Sequence, residues 1–270
     1  MNNKTVIITG GSRGIGRESA RVFLNNGANV IITGRNEKIL IQTEKELNRN
    51  TSGSAGTATA VQADVTNIDD CRKVINYTVS KYGKIDILIN NAGMSARGVF
   101  EKTDISVYKK LTEINFLGPV TMSRLAINEI IKNKGSIVFI STIAALKGLP
   151  GLSHYSSSKM PLTAFSESIR GELKKQGVHV GIIYVGFTEN DKDKKIYNEK
   201  GEPVVLKRDK NSMSQLETAE AVYKSILKRK EVLYLSAAGK FASVFYRLFP
   251  RISEKILAGT VLKSPQYKNS

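Results

Sequence analysis

The chain has 270 residues, 41 Lys and Arg against 24 Asp and Glu, a formal net charge of +17, and 41% hydrophobic residues. That apolar content supports a packed core and argues against disorder, while no apolar run approaches the roughly 18 residues of a membrane-spanning helix. One cysteine, Cys71, and two isolated histidines, His154 and His179, exclude an internal disulfide and give no metal-ligand spacing.

The first strand-like segment follows almost directly on Met1, so no signal peptide is expected, and the single cysteine fits a cytoplasmic setting. Candidate strands lie at 5–9, 29–33, 59–62, 85–90, 136–141, 179–184 and 232–235. Helical patterns lie between them, near 15–26, 36–49, 67–82, 104–132, 155–176 and 215–229. This alternation predicts an α/β fold: a parallel sheet of about seven strands, with helices on both faces. Residues 51–56 read as a loop by composition. Residues 187–214 break the rhythm and read as a binding loop or lid. Residues 1–238 are expected to form one domain, and 239–270 an amphipathic extension.

The first strand ends in Thr9-Gly10-Gly11-Ser12-Arg13-Gly14-Ile15-Gly16, ahead of a helix. Glycines here permit a tight turn and close approach of a pyrophosphate to the N–H groups of a helix N-terminus. The simpler alternative is an ordinary strand-to-helix turn. At the end of the second strand, where an acid would hold the ribose 2′-hydroxyl of NAD, the chain reads Thr33-Gly34-Arg35. Arg35, joined by Arg13, suits a 2′-phosphate and favours NADP(H). Otherwise Arg35 caps a surface loop.

Tyr155 and Lys159 are four residues apart, on one face of a helix. An ammonium beside a phenol stabilises phenolate, so Tyr155 is a candidate proton donor to a carbonyl. Together with Asn90-Asn91-Ala92-Gly93 after the fourth strand and Asn115, these motifs resemble the short-chain dehydrogenase/reductase family over about residues 4–186. The resemblance implies a Rossmann-type doubly wound sheet binding NADP(H). It makes Tyr155 the acid/base, Lys159 the ribose-binding partner that lowers the Tyr155 pKa, and Asn115 the holder of a relay water. It places Gly10, Ser12, Arg13, Gly14, Ile15, Gly16, Arg35, Asp64, Val65, Asn91, Ala92 and Gly93 at the cofactor.

Two departures stand out. The family's substrate-orienting serine is replaced by Thr142, whose hydroxyl retains the donor; Ser141 faces the other side of the strand. After the sixth strand a Pro-Gly pair becomes Val185-Gly186. Gly186 keeps room for nicotinamide, and Thr188 is either a carboxamide partner or a plain loop residue.

Residues 1–186 carry 24 basic and 14 acidic groups, and residues 239–268 carry six and one. Most of this charge reads as solvated surface, and no motif supports nucleic-acid binding. In 239–263, Phe241, Phe245 and Leu248 share a face flanked by Arg247, Arg251, Lys255 and Lys263. That face packs on the protein or a second subunit, or touches an anionic membrane. The family resemblance implies NADPH-dependent interconversion of a carbonyl and an alcohol, and the extension, loosely similar in layout to that of membrane-associated family members that reduce steroids or keto-lipids, implies a hydrophobic, lipid- or steroid-like ketone. Alternatives are a 3-oxoacyl-carrier-protein reductase and a catalytically silent NADP-binding regulator. The family resemblance further implies a homodimer or homotetramer, through 104–132 and 155–176.

Overall fold

The computed structural model describes residues 1–49, 56–189, 191, 194–205 and 212–261, with side chains to 257. Positions 51–55 of the expected loop, parts of 187–214 and residues 262–270 lie outside the described residues. Seven strands form one parallel sheet: β1 (Thr5–Ile8), β2 (Asn29–Gly34), β3 (Ala58–Gln62), β4 (Ile87–Asn90), β5 (Ser136–Thr142), β6 (His179–Val185) and, after the β7–β8 hairpin described below, β9 (Val232–Tyr234). Their order is β3-β2-β1-β4-β5-β6-β9, a doubly wound Rossmann-like sheet. The order reverses between β1 and β4, so ligand-binding loops gather at the carboxyl ends there.

Successive strand residues feed two cores. Ile7, Ile31, Leu88, Ile137 and Phe139 face one layer, while Val6, Ile8, Val30, Ile32 and Ile89 face the other. Helices α1 (Gly14–Asn25), α2 (Glu37–Arg49) and α8 (Gln215–Leu227) supply buried Phe23, Leu40 and Val222 to the second layer. Helices α3 (Ile68–Tyr82), α5 (Gly118–Lys132) and α7 (Pro161–Leu173) supply Val74, Ala126 and Leu162 to the first.

The structure departs from the sequence pattern in four places. The strand expected at 85–90 begins at Ile87, and ahead of it the buried Asp86 carboxylate accepts from Thr5 N–H at 2.9 Å and from Lys4 at 2.7 Å. The helix expected at 104–132 is α4 (Ile105–Thr112), a π-helical turn at Glu113–Leu117, then α5. The helix expected at 155–176 is α6 (Ser153–Lys159), then α7, divided before Pro161, which has no N–H to give. Residues 187–214 contain an antiparallel hairpin, β7 (Lys195–Tyr197) and β8 (Pro203–Val205). Its Tyr197 exchanges backbone hydrogen bonds with the 95–97 segment, at 2.9 Å to Ser95 and to Arg97.

Helices α9 (Ala237–Leu248) and α10 (Pro250–Val261) follow β9. Ser236 caps α9 by accepting from Gly239 N–H at 3.0 Å. A Cβ at Gly239 would approach Ile143 within 2.9 Å, so glycine permits α9 to sit directly against the residue after β5. Lys147 holds α10 through Glu254 at 2.8 Å. The two helices therefore stand beside the carboxyl end of β5.

Candidate active site

The turn from β1 to α1 is built by its glycines and by Asn91. Gly10 and Gly14 have φ of +65° and +55°, the left-handed region that favours glycine. A Cβ on Gly16 would collide with the Gly10 carbonyl and the Asn91 amide, whereas one on Gly14 would meet nothing within 4 Å. The turn is thus packed beneath Gly16 and open above Gly14. Asn91 Nδ2 donates to the carbonyls of Thr9 at 2.9 Å and Gly10 at 3.1 Å. Thr9 Oγ1 accepts from the N–H groups of Asn91 and Ala92, both at 3.0 Å. Asn91 and Ala92 are therefore tied to the glycine turn, and the Asn91 amide shapes it. Ile15 occupies the first turn of α1.

The open turn receives an anion. The carboxylate of Asp191, from the segment after β6, accepts from Gly14 N–H at 3.1 Å. It also lies 3.6 Å from the Arg17 guanidinium and 3.2 Å from Gln215 Nε2. These donors suit the phosphates of a dinucleotide, whose charge matches the helix N-terminus.

Arg13 is the extended residue ahead of α1, and Arg35 is exposed just past β2. A Cβ at Gly34 would lie 3.1 Å from Ser12 Oγ, so the Ser12-Arg13 and Gly34-Arg35 pairs share one edge of the site. Beyond β3, the Asp64 carboxylate accepts from the Thr66 N–H at 3.0 Å and hydroxyl at 2.9 Å. Its backbone N–H donates to Asp70, which holds the Asp70 carboxyl below the usual carboxylate range. Val65 is buried against Gly118.

Helix α6 brings Tyr155 and Lys159 to the same region. Tyr155 is partly buried and packs on the cluster of Ala96, Val107, Leu111 and Tyr197. Lys159 is buried, and its ammonium donates to the Ile140 carbonyl at 3.1 Å. Burial pulls its pKa down to about 8. Asn115 sits in the π-helical turn, a local widening that re-aims one side chain. Its Oδ1 accepts from Met94 N–H at 2.9 Å, and its Nδ2 donates to the Met94 carbonyl at 2.8 Å and to Ser158 Oγ at 2.9 Å. A Cβ at Gly93 would lie 3.1 Å from both Asn115 Oδ1 and Lys159 Nζ, so both groups converge where glycine leaves room.

Thr142 ends β5, in register with Val185 at the end of β6. Its Oγ1 accepts from Ala144 N–H at 3.3 Å, which leaves the hydroxyl proton for another acceptor. The neighbouring Ser141 hydroxyl is buried with no hydrogen-bond partner among the described residues. Gly186 faces Ser236 Oγ, 3.7 Å from where its Cβ would be. Thr188 is buried and bridges to Met213.

The histidines stand apart from this chemistry. His154 is buried beside the Tyr108 ring, neither ring nitrogen has a hydrogen bond among the described residues, and burial lowers its pKa. His179, with no partner evident from sequence, bonds Ser136 Oγ at 3.2 Å and the Lys230 carbonyl at 2.9 Å. No cluster of metal-binding side chains occurs among the described residues. Sequence reasoning missed Ser158, Tyr197 and Asp191. Ser158 had a signal, its i+3 place after Tyr155; the other two come from a segment without clear periodicity.

The family described as short chain dehydrogenase matches residues 4–201. Dehydrogenase/reductase SDR family member 7B of Rattus norvegicus is 31% identical over 276 residues, covering 100% of this chain and 85% of the relative. 11-beta-hydroxysteroid dehydrogenase A of Sesamum indicum is 30% identical, covering 97% of this chain and 76% of the relative. A short-chain dehydrogenase/reductase of unknown function from Caenorhabditis elegans, crystallised with cofactor, is 36% identical with a TM-score of 0.65, over 70% of this chain and 71% of that one. With its parallel sheet and glycine turn, the chain belongs to the short-chain dehydrogenase/reductase family of NAD(P)(H)-using oxidoreductases.

Proposed function

We propose that the protein is an NADPH-dependent reductase of a hydrophobic ketone, with Tyr155 as its acid/base. The observation that carries this reading is the convergence of Asn115 and the buried Lys159 beside Gly93, with Tyr155 one helical turn from Lys159. A bound nicotinamide cofactor supplies the hydride to the carbonyl carbon. Tyr155 donates its phenolic proton to the carbonyl oxygen, and the Thr142 hydroxyl donates a second hydrogen bond to that oxygen. Lys159 stabilises the resulting phenolate by its charge. Asn115, fixed by Met94 and Ser158, holds the water through which Lys159 returns a proton to Tyr155. Gly10, Ser12, Gly14, Ile15, Gly16, Asp64, Val65, Ala92, Gly93, Gly186 and Thr188 line the cofactor in this reading, and Arg13 and Arg35 hold a 2′-phosphate.

The hydrophobic substrate is supported by the apolar wall of Met94, Leu111 and Tyr197 near Tyr155. The hydroxysteroid named for the sesame relative agrees with it. The exposed face of α9 and α10, which carries Phe241, Leu248 and Ile252 beside Arg247 and Arg251, supports peripheral contact with an anionic membrane. Self-association through 104–132 and 155–176, the α4–α5 and α6–α7 segments, belongs to the same reading, as does a cytoplasmic setting.

Tyr155→Phe tests the mechanism. It removes the transferable proton while keeping the ring. Turnover of a ketone panel with NADPH should fall at least about 100-fold, with NADPH affinity nearly unchanged. A variant that retains wild-type turnover refutes the assignment. Wild-type protein that binds NADPH yet reduces no ketone, keto-lipid or 3-oxoacyl thioester favours the silent regulator.

A further inference from the structure

We infer that Asp191 is a built-in competitor for the cofactor's pyrophosphate and so a determinant of cofactor affinity; this rests on the nicotinamide-nucleotide site proposed above. The Asp191 carboxylate accepts from Gly14 N–H at 3.1 Å, the first N–H of α1, in the left-handed part of the turn. Arg17 faces it at 3.6 Å, and Gln215 Nε2 holds its other oxygen at 3.2 Å. These are one backbone donor, one guanidinium and one amide, the groups a phosphate takes.

The competition follows from charge and space. One N–H donates well to one anionic oxygen. A pyrophosphate arriving over Gly14 meets a fixed negative charge at the N-terminal end of α1, where the helix otherwise favours its binding. Arg17 is already shared, since its Nε lies 3.0 Å from Glu18. Removal of the Asp191 charge takes away that repulsion, weakens the hold on Gly14 N–H and leaves more of Arg17 to the incoming anion. The Asp191 side chain is 22% exposed, so its carboxylate lies at the solvent edge of the turn and not in the core.

The test compares wild type with Asp191→Asn, which keeps the shape and an acceptor but removes the charge. NADPH binding is followed by its fluorescence and by calorimetry, and inorganic pyrophosphate is titrated separately. Asp191→Asn should bind NADPH and pyrophosphate about 5-fold more tightly, the size of one like charge removed from a helix N-terminus. The difference should shrink as salt rises. Gln215→Leu, which frees the carboxylate without neutralising it, should shift both affinities the same way by less. Unchanged or weaker binding of both probes by Asp191→Asn overturns the inference, because a residue that only ties its segment to α1 gives that result. If wild type binds neither NADPH nor NADH while Asp191→Asn still tightens pyrophosphate, the cofactor reading falls and the anion competition stands.

Discussion

The ammonium of Lys159 donates to the carbonyl oxygen of Ile140 at 3.1 Å and is buried, with no carboxylate paired to it among the described residues. A cation in that position is costly to bury, and the cost appears as a pKa drawn down to about 8. In the proposed mechanism that charge acts on Tyr155 and on the bound nucleotide. The folded protein holds that charge at the expense of its own stability.

Lys159→Met should therefore stabilise the cofactor-free protein while abolishing turnover. The folded pKa lies below the ordinary lysine value, so the unfolded chain binds the extra proton between about pH 8 and 10.5. Wild-type stability should rise with pH across that window and be lost as pH falls toward 8. The limiting size is up to about 3 kcal/mol. Chemical denaturation of both proteins from pH 7 to 10.5 reads the difference. A Lys159→Met profile with the same rise as wild type would show that Lys159 is not its source.

Much of this site is legible in the sequence because its parts are local. Gly10, Gly14 and Gly16 mark a turn whose φ angles and close packing require glycine, and Tyr155 and Lys159 need only helical spacing. Asn115 is different. Its residue type and position in the chain were readable, but the π-helical turn that aims it was not, since 104–132 has the apolar period of one continuous helix. The pattern marks Asp64 and Asn91, but not that the Asp64 carboxylate accepts from Thr66 or that the Asn91 amide donates into the glycine turn. Asp191 and Tyr197 act across 100 residues of chain or more, on Gly14 and on the 95–97 segment, and no periodicity encodes such contacts. The sheet was legible for the opposite reason: strands buried on both faces announce themselves as runs such as Val6-Ile7-Ile8.

Cofactor choice is the second measurable consequence. Arg13 and Arg35 flank the edge where Ser12 meets Gly34, and no acid stands at the end of β2. Arg35→Ala should weaken NADPH by about 1.5–3 kcal/mol, the range for a hydrogen bond to a charged group, and leave NADH almost unaffected. Arg13→Ala should act in the same direction. Dissociation constants for both nucleotides decide the matter. Equal weakening of NADPH and NADH by Arg35→Ala would mean that the arginine supports the loop and reads no 2′-phosphate.

The α9–α10 pair makes the third. Phe241, Val244 and Leu248 lie three and four residues apart on α9 and are 71%, 54% and 65% exposed. The rings of Phe241 and Phe245 stack at 5.9 Å, and those of Phe245 and Phe249 meet at 5.5 Å, giving a continuous apolar ridge. Lys240, Arg247, Arg251 and Lys255 supply positive charge along it, against Glu254, which is engaged by Lys147. An anionic lipid surface complements both properties, with each basic residue contributing about 1 kcal/mol near the headgroups. Vesicles containing phosphatidylserine should co-sediment the protein at low salt and release it as salt rises. The double change Arg247→Glu and Arg251→Glu should cut partitioning by more than about tenfold, and Phe241→Ser with Leu248→Ser should do so even at low salt. Because Gly239 and Lys147 anchor these helices beside β5, the same variants should leave reduction of a water-soluble ketone intact while slowing reduction of a vesicle-borne one. If the protein ignores anionic vesicles at low salt and the serine variants instead change its oligomeric state, the ridge is a subunit contact.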